Sequence, residues 1–158
     1  MRAEMKKSFS KIRSLTLAAT LLATTVPANS EKGDWQIVNY WSEWCAPCRV
    51  EIPMFNALAR ELESSNVSIV GINFDEDPRD ATLDIAEEMG IKFPTLTLEE
   101  SASLELRAPD VMPTTYILNP YGEVVAKLIG MQERDDILAR LEELGLAISR
   151  NPIGREAQ

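Results

Sequence analysis

Hydrophobic positions change their spacing several times along this chain, and each change marks an element. Trp35 to Trp41 contains Ile37, Val38, Tyr40 and Trp41, dense in strand formers, and reads as a buried strand. From Cys45 to Leu62 the period lengthens. Phe55, Leu58, Ala59 and Leu62 recur at i, i+3, i+4 and i+7, the stripe of an amphipathic helix. Pro53 lies inside that helix, where its missing donor predicts a kink. Ser64, Ser65 and Asn66 end the helix, and Val67 to Phe74 follows as a second strand.

Asp77 is a suitable N-cap, Pro78 suits a first helical position, and Asp80 favours the helix dipole. The helix they open runs to Met89 and stops at Gly90. Ile91 to Leu98 reads as a strand that Pro94 makes irregular or confines to an edge, and Ser101 to Arg107 as a short helix. Thr114 to Leu118 and Glu123 to Ile129 are separated by Asn119-Pro120-Tyr121-Gly122, a turn signal that predicts an antiparallel hairpin. A last amphipathic helix covers Glu133 to Leu144, with Ile137, Leu138, Leu141 and Leu144 on one face. The strand–helix–strand start implies a parallel pair with a right-handed crossover. The hairpin and last helix then complete a mixed sheet covered on both faces.

The first 28 residues do not belong to that pattern. Arg2, Lys6, Lys7, Lys11 and Arg13 precede an apolar stretch from Leu15 to Val26, and Val26-Pro27-Ala28 suits an export peptidase. This is the layout of a secretory signal peptide, cleaved or else kept as an inner-membrane anchor. The apolar stretch is shorter than the ~20 residues of a bilayer span, which favours cleavage. The chain then divides into a signal at 1–28, one domain at 29–146 and a flexible tail at 147–158, in a periplasmic protein. A length of 158 residues suits one domain.

Charge and composition narrow the chemistry. Loss of residues 1–28 removes five basic residues and one acidic one, moving the net charge from −9 to −13. So acidic a body is repelled by nucleic acid and by anionic lipid. Histidine is absent, which excludes Ser-His and Cys-His nucleophile pairs and imidazole metal sites. Thiols and carboxylates remain.

The only two cysteines stand in Trp44-Cys45-Ala46-Pro47-Cys48-Arg49, where a strand ends and a helix begins. Open backbone N–H groups and the helix dipole at that point stabilise a thiolate on Cys45. Cys48 lies one turn later, close enough to form a disulfide with it. Cys45 is therefore the candidate for attack on a partner disulfide, and Cys48 for resolving the mixed disulfide. Three other uses compete. A structural bridge closing so short a loop stabilises little. A zinc site lacks a second cysteine pair or histidine. Haem attachment needs a histidine where Arg49 stands. The strand-to-helix setting favours a redox-active Cys45–Cys48 pair with no cofactor and no metal.

The segment Asn39-Tyr40-Trp41-Ser42-Glu43-Trp44-Cys45-Ala46-Pro47-Cys48 resembles the active-site segment of thioredoxins. Arg49-Val50-Glu51-Ile52-Pro53 is similar to the continuation found in the exported TlpA, ResA and CcmG/DsbE group, and Met112-Pro113-Thr114-Thr115 to the family's cis-proline segment. The resemblance spans residues 35–145. It implies a thioredoxin-like α/β fold with a TlpA-type strand–helix insertion and a shortened N-terminus. It also implies a cis bond at Met112-Pro113, in a loop that faces the disulfide and pairs with a substrate strand. Trp44, Ala46, Pro47, Met112 and Pro113 then form the substrate-binding surface. The group carries an acidic residue after the second strand, and Glu76 is the best match among Asp75, Glu76 and Asp77. Partly buried near the sulfurs, Glu76 would exchange a proton with Cys48. Asn39 stands where thioredoxin has a buried aspartate, so the proton must be handled elsewhere.

These readings lead to an exported disulfide reductase that acts on envelope protein thiols such as apocytochrome c. It would work as a monomer, fed by a membrane thiol donor. An oxidase or isomerase on the same scaffold is the alternative, and a thiol-based metal carrier a third. Ala46-Pro47 offers no imidazole to favour the thiolate, which disfavours a strong oxidant.

Overall fold

A computed structural model describes residues 34–148. The expected signal at 1–28 and all but the start of the tail at 147–158 lie outside the described residues. The sheet has five strands: β1 (Trp35–Trp41), β2 (Val67–Asn73), β3 (Thr95–Leu96), β4 (Thr114–Leu118) and β5 (Val124–Ile129). Their order is β3-β2-β1-β4-β5. β1 pairs in parallel with β2, and β2 with β3, while β1–β4 and β4–β5 are antiparallel. The helices are α1 (Ala46–Leu62), α2 (Arg79–Glu88) and α3 (Arg134–Glu143).

Strand alternation sends Ile37, Asn39 and Trp41 to one face of β1, and Val38 and Tyr40 to the other. Ile37 and Trp41 share a core with Phe55 and Leu58 of α1 and with Ile137, Leu138 and Leu141 of α3. Asn39, in the same row, is the polar member turned toward α1, and it is completely buried. On the other face Val38, Tyr40, Ile72, Tyr116 and Leu118 form a smaller core, covered by Leu98, Leu104 and Leu106. The Tyr40 and Tyr116 rings meet edge to face with centroids 5.8 Å apart.

Several boundaries differ from the sequence expectation. α1 begins at Ala46 with Cys45 as its N-cap. α2 begins at Arg79 with Pro78 as its cap, because the Asp77 carboxylate accepts from Asn73 Nδ2 (3.0 Å) instead of capping. The strand expected over Ile91–Leu98 shrinks to Thr95–Leu96. Ile91 and Phe93 pack into the core, and the Pro94 carbonyl accepts from Gly71 N–H at 2.8 Å. The short helix after it is a 3-10 turn, Glu100–Leu104, ended by Glu105 at φ +51°. The hairpin forms as expected. Asn119 Oδ1 accepts from the Tyr121 and Glu123 amides, and Gly122 takes φ +81°.

Gly71 of β2 is the tightest point. A Cβ there would lie 2.8 Å from Trp41 Nε1, 2.9 Å from Phe93 Cε2 and 3.0 Å from Thr95 Oγ1. Any larger residue there would press on the Trp41 indole and the Phe93 ring.

Candidate active site

Cys45 caps α1 in extended conformation and is joined by a disulfide to Cys48, with the Cα atoms 5.2 Å apart. Its Sγ accepts from the Cys48 N–H at 3.2 Å, an open amide of the first helical turn. Pro47 occupies that turn, where no backbone donor is missed. The sulfurs are unequal: Cys48 is fully buried and Cys45 is partly exposed. A partner can therefore reach Cys45, and Cys48 only through it.

Trp44 beside Cys45 is 82% exposed, and Ala46 and Pro47 are exposed as well. The Met112–Pro113 bond is cis. Pro113 is buried and its carbonyl accepts from Gly130 N–H at 2.9 Å, while Met112 is half-buried against both cores. Arg49 is exposed, with Nε donating to the Glu43 carbonyl at 3.1 Å.

Glu76 does not take the place expected of it. β2 ends at Asn73, and the Asn73 side chain accepts the Asp75 N–H at 3.0 Å, so the strand alternation stops there. The Glu76 side chain is exposed, at the rim of a cavity of about 470 Å³ lined also by Asp77, Pro78, Leu98 and Glu99. Asp75 turns back to the loop before Cys45 and accepts from Ser42 Oγ at 2.8 Å.

The buried carboxylate is Glu51. It lies one turn after Cys48 on the inward side of α1 and is 2% exposed. Residues three apart on a helix are neighbours, so its carboxyl shares the Cys48 surroundings. Its two oxygens accept from Asn39 Nδ2 (2.7 Å) and from the Gln132 N–H (3.1 Å). Asn39 Nδ2 also donates to Thr115 Oγ1 at 3.1 Å. Burial pushes the Glu51 carboxyl above its ordinary range, and the Asn39 and Gln132 hydrogen bonds pull it partly back. Sequence reasoning missed this role, although a signal existed: a glutamate in register with Cys48, Ile52 and Phe55 breaks the apolar stripe of α1.

Among the described residues no group of three or more His, Cys, Asp or Glu side chains is placed to hold a metal ion. The arrangement suits dithiol–disulfide exchange: an accessible sulfur at a helix start, a buried one a turn away and a buried carboxyl one turn further along α1.

The parallel β1–β2 pair, the antiparallel β4–β5 hairpin and a disulfide at the start of α1 define a thioredoxin-like protein. The profile described as AhpC/TSA family matches residues 10–127, and the chain belongs to that family. It is similar to the thiol-disulfide oxidoreductase ResA of Geobacillus kaustophilus, 29% identical over 113 residues, covering 72% of this chain and 64% of ResA. The chain thus spans just under two thirds of that relative's length. Among solved structures it resembles a secreted thiol-disulfide isomerase from Corynebacterium glutamicum, with TM-score 0.55 and 28% identity, covering 67% of each chain. It shares its fold with StoA from Bacillus subtilis, with TM-score 0.57 and 24% identity, covering 68% of this chain and 82% of StoA.

Proposed function

We propose that this protein is an exported thiol–disulfide oxidoreductase, working as a disulfide reductase on envelope protein thiols, apocytochrome c among them. The observation that carries the reading is the unequal exposure of the Cys45–Cys48 disulfide at the start of α1. In the reduced chain, Cys45 thiolate attacks a partner disulfide, forms a mixed disulfide and releases one partner thiolate. Glu51 takes the proton of Cys48, and the Cys48 thiolate attacks Cys45 Sγ. The second partner thiolate leaves, and the Cys45–Cys48 bond re-forms. Two electrons pass to the partner, and a membrane thiol donor restores the dithiol. Met112, Pro113 and Trp44 are assigned to hold the partner segment beside Cys45, by backbone pairing at the cis-proline loop.

Trapping tests the roles of the two sulfurs. Cys48→Ala is expected to accumulate mixed disulfides with client proteins and Cys45→Ala very few, and the reverse pattern overturns the assignment. Export is tested by N-terminal sequencing of envelope protein, expected to begin near Asn29. The full-length chain in the cytoplasmic fraction would contradict it.

An isomerase is the second reading, favoured by the likeness to the secreted isomerase of Corynebacterium glutamicum. Recovery of activity from a scrambled disulfide protein, without added reductant, would select it.

A further inference from the structure

The loop between β1 and α1 is held by side chains that the exchange steps do not use. Ser42 is 7% exposed, and its hydroxyl donates to Asp75 Oδ2 at 2.8 Å while accepting from the Trp44 N–H at 3.2 Å. Asp75 Oδ2 also accepts the Glu43 N–H at 3.3 Å, and the Ser42 carbonyl accepts the Cys45 N–H at 3.1 Å. All three amides leading into Cys45 are thus satisfied by Ser42 and Asp75. The carboxylate is itself fixed. Asp75 N–H donates to Asn73 Oδ1 at 3.0 Å, and Asn73, fully buried, donates from Nδ2 to Asp77 (3.0 Å) and to Thr82 of α2 (3.2 Å).

We propose that Ser42 and Asp75 are positioning residues for Cys45, a clamp from the end of β2 that holds the attacking sulfur on the open amides of α1 once the disulfide is broken. The proposal rests on reading Cys45–Cys48 as an exchanging pair. In the oxidised chain the covalent bond closes the first turn whatever the loop does. In the reduced chain hydrogen bonds, with the packing of Cys45 against the core, keep it at the helix start, where its thiolate is stabilised. The clamp therefore stabilises the dithiol more than the disulfide. Asp75 also has an opposing effect, since a carboxylate near a thiolate disfavours it by like charge. Two variants separate the two effects: Ser42→Ala keeps the charge and loses the geometry, whereas Asp75→Asn keeps an acceptor and loses the charge.

The experiment equilibrates each protein with mixtures of reduced and oxidised glutathione and titrates the Cys45 thiolate by its absorbance. Glutathione reduces the Cys45–Cys48 bond and becomes its own disulfide, so electrons balance. Ser42→Ala is expected to shift the equilibrium about threefold to tenfold toward the disulfide, tenfold being about 30 mV, and to raise the Cys45 pKa. Asp75→Asn is expected to lower that pKa and not to shift the equilibrium toward the disulfide. A purely structural Ser42 would lower the unfolding midpoint of both redox forms equally, leaving equilibrium and pKa at wild-type values. That result, or equal movement of the pKa in both variants, overturns the proposal. If the wild type itself does not exchange with glutathione, the failure lies with the exchanging pair and not with the clamp.

Discussion

Replacing Glu51 by glutamine keeps its shape and removes its charge, and should separate what the buried carboxyl does for the fold from what it does for the thiols. Both oxygens of Glu51 accept, from Asn39 Nδ2 and from the Gln132 N–H. An amide accepts at one end and turns a donor toward the other partner. A buried donor left without its acceptor costs about 1–3 kcal/mol, partly offset because no charge has to be buried. The offset depends on pH. Burial raises the Glu51 carboxyl, so its contribution to stability is fullest below the unfolded-state pKa. That contribution is lost as pH rises through the raised folded value. Glu51→Gln is therefore expected to be less stable than wild type by about 1–2 kcal/mol near pH 5, and closer to it near pH 8. For exchange, a positioned base is worth 10²–10⁴-fold, so resolution of a preformed Cys45 mixed disulfide should slow by about 100-fold. In wild type, resolution should accelerate as pH rises through the raised carboxyl pKa, and in the variant that inflection should vanish. The assay follows release of thionitrobenzoate from a mixed disulfide on Cys45 across pH. A variant rate within about threefold of wild type, with the inflection retained, would remove Glu51 from the mechanism.

Glu76→Gln is the matched control: its carboxylate is exposed, so resolution rate and pH profile should both stay at wild-type values. A slowed resolution in that variant would return Glu76 to the role expected from its sequence position. Gly71→Ala should cost about 3 kcal/mol by urea denaturation, the upper end for overpacking, because buried Trp41 and Phe93 both stand within 3 Å of the new methyl group. A loss below about 0.5 kcal/mol would show that the indole has room to move.

Most of the scaffold was legible because strand alternation and helical stripes are local patterns. β1 and β4 have their expected bounds, and the Asn119–Gly122 turn and the cysteine pair at the start of α1 stand where expected. What escaped were side-chain hydrogen bonds, some between residues far apart in the chain and some within a few residues. Glu51 pairs with Asn39 twelve residues away and with Gln132 eighty-one away, so no window of sequence shows that its carboxyl is buried. Glu76 is the best match by resemblance to the acidic residue after the second strand, but the Asn73 side chain captures the Asp75 amide, β2 ends there and Glu76 stays exposed. Asp77 is a good cap by type, yet Asn73 takes its carboxylate and leaves Pro78 to open α2. In each case one partner is a buried asparagine, Asn39 or Asn73, and asparagine carries little periodic signal.

Cys45 and Cys48 are proposed to form a reversible dithiol that gives electrons to partner disulfides. The most direct test is the reduction potential of the pair, measured by equilibrating the full chain with defined dithiol buffers and counting free thiols. A value near −270 mV, that of a reductant, is the expected result. A value near −120 mV would make the protein an oxidant, and a bridge that resists reduction throughout would make it structural.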